Sequence, residues 1–221
     1  MHGGRASFYQ DIQWPMHWLC GGKASQCSYE KGKARKVTQV LGLVHLDLFG
    51  PLPTPSYGGS MYVLTFIYVF SRFFFVYFLK LKYEVFETLK VWKSLVENQC
   101  VNKIKFLRND NGNEYVNNSL QQLCEECGIQ MQHSTLYTPQ QNSVAEHKNK
   151  ALKEMATYMI EAKDLNPNLW DEAINCAACI QNMSLHKSVD GKTPYESWFG
   201  HKPNISHFGI FGSRAWDRIP P

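Results

Sequence analysis

The alternation of apolar and polar positions divides the chain into a strand-rich first half and a helix-rich second half. Residues 42–48 form an apolar-rich run stopped by Gly50-Pro51, the pattern of a buried strand. Residues 61–79 are apolar or aromatic except for Thr65, Ser71 and Arg72. Their Tyr, Val, Phe, Ile and Thr content fits a pleated surface, and Ser71-Arg72 splits the run into two strand-length halves. An arginine near mid-span is costly in lipid, so two adjacent buried strands are expected here and a transmembrane helix is not. Val85, Leu89, Val91, Trp92, Leu95 and Val96 predict a helix over residues 83–98. Residues 104–107 read as a short strand leading to Asp110. Asn117 or Asn118 can N-cap a helix that Gly128 ends, and residues 129–133 read as a further strand. After a loop, one helix is expected from about Ser143 to Ala162 and another from Pro167 through Ile180. The tail beyond Lys187 reads as loop, with punctuation at Asp190-Gly191 and Thr193-Pro194. Three strands followed by strand–helix alternation predict an α/β domain with a mixed sheet.

Composition narrows the class without deciding the chemistry. A chain of 221 residues with 44% hydrophobic and 19% charged residues can bury one sizeable core and is not a disordered tail. The formal charge of +4 permits a nucleic-acid partner but does not demand one, since local clustering matters more. Seven scattered cysteines do not read as a secreted disulfide framework, and residues 1–18 lack the apolar segment of a signal peptide. An intracellular setting is therefore expected.

Chemistry concentrates in three carboxylates. Asp47 follows an apolar run, Asp110 follows the short strand, and Glu146 lies near a predicted helix start. Between Asp110 and Glu146 lie 35 residues. Two acids on strand ends and one on a helix suit a divalent-metal site acting on phosphodiesters, because hard oxygen ligands hold Mg²⁺ while leaving positions open for phosphate. Any one of these acids alone reads as a turn or cap residue. Ser143-x-x-Glu146 is also a capping box, in which Glu146 would reach back to the Ser143 N–H. Lys150 and Lys153 follow Glu146 by four and seven residues on the same helical face, where they can meet phosphates or stand solvated.

The words around these acids carry a resemblance: Val44-His45-Leu46-Asp47-Leu48-Phe49-Gly50-Pro51, Leu107-Arg108-Asn109-Asp110-Asn111-Gly112-Asn113-Glu114-Tyr115, and Tyr137-Thr138-Pro139-Gln140-Gln141-Asn142-Ser143-Val144-Ala145-Glu146. With Gly191-Lys192-Thr193-Pro194-Tyr195-Glu196 and Phe208-Gly209-Ile210-Phe211-Gly212 downstream, the chain resembles the integrase catalytic core of Ty1/copia-type retrotransposons. The resemblance implies an RNase H-like mixed five-stranded sheet flanked by helices. It implies a DDE triad of Asp47, Asp110 and Glu146 holding Mg²⁺ or Mn²⁺, and DNA integration by end processing and strand transfer. Tyr137, Gln140, Gln141 and Asn142 would contact DNA from the loop before the helix, and Lys150 and Lys153 from the helix itself. DNA (element ends and target) would be the partner, the protein would form a homo-oligomer, and no membrane would be involved. A nuclear location with a cytoplasmic particle stage follows. An inactive nucleic-acid-binding relic and an RNase H-like nuclease without strand transfer are the rival readings.

The resemblance also divides the chain. Residues 1–36 stand where the family carries a zinc module and linker, residues 37–200 form the core, and residues 201–221 a C-terminal extension. His17, Cys20 and Cys27 lack the Cys-x2-Cys of that module, so no zinc is expected. Cys124-x2-Cys127 and Cys176-x2-Cys179 fall in predicted helices and read as small buried side chains. Asn113 and Ser143 stand where the family commonly has Gly, and His147 where it has Arg. Such departures are those expected of a fragment or decayed copy.

Overall fold

A computed structural model describes residues 41–100, 102–109, 114–133 and 139–214. All of them belong to one compact unit, Gly32–Pro221; the unit Met1–Lys31, with His17, Cys20 and Cys27, lies outside the described residues. Five strands form one sheet: β1 (Leu43–Phe49), β2 (Tyr62–Tyr68), β3 (Phe74–Leu79), β4 (Phe106–Asn109) and β5 (Gln130–His133). Their order is β3-β2-β1-β4-β5. The β1–β2 and β2–β3 pairs are antiparallel, whereas β1–β4 and β4–β5 are parallel. Turns suffice for the first two connections, but the parallel pairs need crossovers. These crossovers contain α1 (Glu84–Gln99), between β3 and β4, and α2 (Glu114–Cys127), between β4 and β5. Three helices follow: α3 (Pro139–Glu161), α4 (Trp170–Met183) and α5 (Pro194–Phe199).

Strand alternation sends successive side chains to opposite sheet faces, and each face has its own core. Val44, Leu46, Leu64, Phe66 and Leu107 pack with Val85, Leu89, Trp92 and Val96 of α1 and Leu120 and Leu123 of α2. Trp92 stacks on Phe66 with centroids 4.0 Å apart and planes 6° from parallel. On the other face Ile67 and Phe74 pack with Ala145 and Leu152 of α3 and with Ala177 of α4. Val63 packs with Ala156, Trp170, Ala173 and Ile174. The aromatic run 61–79 is thus a hairpin buried on both faces, and no helix among the described residues is long and apolar enough to cross a membrane.

Three element boundaries differ from expectation. The second crossover helix begins at Glu114, so Asn117 and Asn118 are inside it and do not cap it; an acid at the first position complements the helix dipole. The third helix begins at Pro139, which overturns the capping box: Ser143 lies inside the helix. Proline at a helix start has its φ already set and gives up an N–H that would have no helical partner. Serine costs less than glycine in a helix interior, so the turn can extend back through residue 143. The tail, read as loop, contains α5, where Thr193 Oγ1 accepts the Glu196 N–H at 2.9 Å beside Pro194. Its Trp198 stacks on Tyr68 at 4.2 Å, closing the first core.

Among the cysteines, Cys124 is buried, Cys176 and Cys179 are half-buried, and Cys127 is exposed, so the expectation of burial fails for Cys127. No group of three metal-ligating side chains forms among the described residues.

The β3 edge is closed by one side chain. Buried Asn182 of α4 accepts the Phe74 N–H at 3.2 Å and donates to the Phe74 carbonyl at 2.8 Å, replacing the missing neighbouring strand. We expect Asn182→Ala to cost about 2 kcal/mol by leaving two buried backbone groups unmatched. Urea denaturation measures the loss, and an unchanged midpoint would contradict it.

Candidate active site at the end of the first strand

The face of β1 that meets α3 carries His45, Asp47 and Phe49. Apolar residues would be expected on a central strand buried from both sides, so an acid there needs a partner. Asn149 supplies it: its Nδ2 donates to Asp47 Oδ2 at 2.6 Å, and its side chain is buried. One turn on, the Lys153 ammonium lies 4.4 Å from the centre of the Phe49 ring. Asn149 over Asp47 and Lys153 over Phe49 set α3 along the C-terminal half of β1. Glu146, Asn149, Lys150 and Lys153 fall at positions i, i+3, i+4 and i+7, one stripe of the helix. The same stripe that touches Asp47 therefore bears Glu146, which is exposed. Lys150 is also exposed, and its 3.9 Å contact with Glu154 is too loose to hold it.

The second acid lies beyond the last residue of a neighbouring strand. β4 runs parallel to β1 and ends with Asn109 opposite Leu46. Asp110 is the next residue in sequence, as Asp47 is after Leu46; Asp110 itself lies outside the described residues. So does Tyr137. Gln140, Gln141 and Asn142 belong to the first turn of α3, not to a loop before it. The structure thus sets Asn149 and Lys153 against Asp47 and Phe49, and Glu146 and Lys150 share their helical stripe.

Asn149 was not singled out by its sequence. An asparagine three residues after Glu146 is unremarkable until the helix is laid on β1. Its Oδ1 is buried and meets no hydrogen-bond donor among the described residues, so a further hard oxygen stands beside the Asp47 carboxylate. Carboxylates and an amide oxygen make a donor set of the kind that Mg²⁺ or Mn²⁺ takes, and thiolates or imidazoles are not needed.

Below the acids, the sheet is basic. His45 is paired in register with Arg108, whose Nη2 donates to Gln132 Oε1 at 2.7 Å. Burial, then Arg108 and Arg72, push the His45 imidazole down to about 4, so it is neutral near pH 7.

The integrase core domain family model matches residues 37–139. The Pol polyprotein of the Nicotiana tabacum transposon TNT 1-94 is 34% identical over 206 residues, which is 93% of this chain and 15% of that protein. The chain carries an integrase core domain. The core is also similar to the Pol polyprotein of the Arabidopsis thaliana transposon RE2, at 28% identity over 76% of this chain and 12% of that protein. A Saccharomyces cerevisiae Ty1 Gag-Pol polyprotein (Ty1-DR4) is 24% identical over 73% of this chain and 10% of its own length. The integrase core thus spans between 10% and 15% of these relatives. Among solved structures, a chain of the simian T-cell lymphotropic virus intasome in complex with PP2A regulatory subunit B56 gamma superposes with a TM-score of 0.59. That match has 16% identity and covers 89% of this chain and 66% of that one. The HTLV-2 integrase catalytic core domain in complex with magnesium, in its trimeric form, gives 0.52 at 17% identity, covering 73% of this chain and 97% of that one. At these identities the likeness is one of fold: the mixed five-stranded sheet with flanking helices of an integrase catalytic core.

Two measurements test the site. A double-mutant cycle of Asp47→Ala and Asn149→Ala, without metal, should return about 2 kcal/mol of coupling, the range for a hydrogen bond to a charged group. A value near zero would remove Asn149 as the positioner of Asp47. The second concerns pH. The unfolded chain protonates His45 near 6.5 but the fold resists until about 4, so this contribution is intact above pH 6.5 and is lost as pH falls towards 4. The loss amounts to about 3 kcal/mol. His45→Leu should flatten that part of the stability–pH curve, and an unchanged slope between pH 6.5 and 4 would refute the assignment.

Proposed function

We propose that this integrase core belongs to a copia-type retrotransposon integrase that cuts and joins DNA at a DDE triad of Asp47, Asp110 and Glu146. The observation that carries the reading is the Asn149–Asp47 hydrogen bond, which lays the Glu146 stripe of α3 against the end of β1. Asp110 enters as the residue after the parallel neighbour strand. The three acids would hold Mg²⁺ or Mn²⁺, which, when bound, activates a water or 3′-hydroxyl and stabilises the leaving oxygen of an in-line displacement. That the HTLV-2 core was solved with magnesium supports this choice of ion.

The chain's own residues do the rest. Asn149 holds the Asp47 carboxylate in one orientation, so that the acid does not have to be ordered when substrate arrives. Lys150 and Lys153, on the acid-bearing stripe, would meet the phosphates flanking the scissile bond. Gln140, Gln141 and Asn142 in the first turn of α3, with Tyr137 before it, would contact sugar or base edges. His45, neutral and buried, adds no charge that would compete with the cation.

The further parts of the reading follow from this role. Element ends and target DNA are the partners, and the protein works in the nucleus after a cytoplasmic particle stage. It assembles as a homo-oligomer, a reading supported by the dimeric and trimeric HTLV-2 cores. Residues 1–36 are a degraded zinc-module remnant, residues 37–200 the core and residues 201–221 an extension.

The deciding experiment is a Mg²⁺-dependent strand-transfer assay with labelled duplex ends. Joined products are expected, and Asp110→Asn should abolish them with no change in the circular-dichroism melt. Cleavage without joining would mark a nuclease. DNA binding without products, in wild type and variant alike, would mark an inactive relic. Unchanged joining by Asp110→Asn would sink the triad.

A further inference from the structure

Parallel strands usually have both faces covered, because their crossovers lay helices across them. In β4 and β5 only one face is filled, where Leu107 and Met131 pack into the core with α1 and α2. On the other face α3 lies along β1 and α4 against β3, and neither packs extensively on β4 or β5. Strand alternation places Phe106, Arg108, Gln130 and Gln132 on that second face. Phe106 is paired with Gln130, and Arg108 with Gln132. Gln130 is exposed and the other three are half-buried.

These four side chains do not read as an ordinary solvated sheet face. Phe106 belongs to none of the apolar cores, and its ring stays partly open to solvent. Arg108 donates from Nη2 to Gln132 Oε1 at 2.7 Å, while its Nε is buried and meets no acceptor among the described residues. A buried donor without an acceptor is costly, and the guanidinium has further donors to offer. The glutamines carry amides, which both donate and accept. No carboxylate stands among the four. An aromatic ring, a guanidinium and amides on an open sheet can stack a base, hold its phosphate and meet its edge. Only an unpaired base offers its ring face for such stacking. Adjacent strands are about 4.8 Å apart and one pleat repeat is about 7 Å long, so the face holds roughly one or two nucleotides. The face also lies close to the acids. Arg108 is in register with His45, which is one pleat repeat, about 7 Å, before Asp47 on β1.

We propose that Phe106, Arg108, Gln130 and Gln132 form a platform for an unpaired DNA strand that runs from the acids across β4 and β5. The inference rests on the DNA-joining reading above and adds to it a single-strand site distinct from the duplex contacts of Lys150 and Lys153. Phe106 stacks a base, Arg108 takes the adjoining phosphate, and the glutamine amides meet base edges. Stacking accepts any base, so the platform is tolerant of sequence. β5 is the edge of the sheet, so the strand can leave the platform without meeting another β-strand.

The test compares binding of the full chain to fluorescein-labelled duplexes, one blunt and others with a short unpaired thymidine extension at the 5′ or the 3′ end. EDTA is present so that no chemistry intervenes, and the KCl concentration is varied. The wild type should prefer one of the extended duplexes to the blunt one by about tenfold, within the range for stacking one base. Phe106→Ala should abolish that preference without changing blunt-duplex binding, and Phe106→Tyr should keep it. Arg108→Gln should lower the slope of log K against log [KCl] for the preferred duplex by about 0.7, the value for one lost phosphate contact on a single strand. That variant decides the question if Phe106→Ala does not fold. Equal wild-type binding of blunt and extended duplexes would overturn the platform alone. So would a preference and salt slope left unchanged by Phe106→Ala and Arg108→Gln. No binding of any duplex by the wild type would overturn the DNA-joining reading together with it.

Discussion

The hydrogen bond between Asn149 and Asp47 is the constraint on which the site depends. The apolar contacts of α3 with Ile67, Phe74 and the α4 alanines are non-directional and would tolerate small rotations of the helix. A buried amide donating to a carboxylate at 2.6 Å does not tolerate them, since a hydrogen bond weakens steeply once its geometry is lost. Lys153 over Phe49 fixes the same register one turn further on. Rotation of α3 by one residue would carry Glu146 about 100° away from this stripe and break both contacts. The positions of Glu146 and Lys150 on the helix are consequences of contacts that include neither of them.

That pairing is made on β1, a strand held from both sides. It lies at the middle of the order β3-β2-β1-β4-β5, hydrogen-bonded to an antiparallel neighbour on one side and a parallel one on the other. The cis-proline word after it closes tightly: Gly50 has φ 129°, and a Cβ there would stand 2.7 Å from the Met61 carbonyl oxygen. Only glycine fits between Phe49 and the start of β2, so the strand ends where the acid-bearing face meets solvent. At the far edge, Asn182 gives β3 the hydrogen bonds that a sixth strand would have made.

Much of this was legible in the sequence, for identifiable reasons. The strands of the aromatic hairpin and the heptad-like spacing of α1 are strong signals because apolar periodicity reports burial directly. The three acids stand out as candidates in the sequence because their flanking words are specific, although each alone reads as a cap and Asp110 lies outside the described residues. The start of α3 was misread because Ser143 and Glu146 have the spacing of a capping box, and local chemistry could not weigh it against a proline four residues earlier. The helix in the tail was missed because Thr193-Pro194 signals a turn and a helix start equally well. Asn149 was invisible for a different reason. Its role lies wholly in a contact with a residue about a hundred positions away, and no local pattern marks a polar side chain as the one that will face a strand.

The sorting of charge around α3 shows why a net charge of +4 says little about this molecule. One stripe of the helix carries Glu146 together with Lys150 and Lys153, so acid and cations alternate along the side that meets Asp47. The other flank carries Lys148, and the sheet continues with Arg108. His45 lies between the acids and these cations and is held neutral by its burial and by Arg108 and Arg72. Were it protonated, it would add a third positive charge next to Asp47 and weaken any cation held there. Its neutrality leaves β1 with no positive charge of its own beside Asp47.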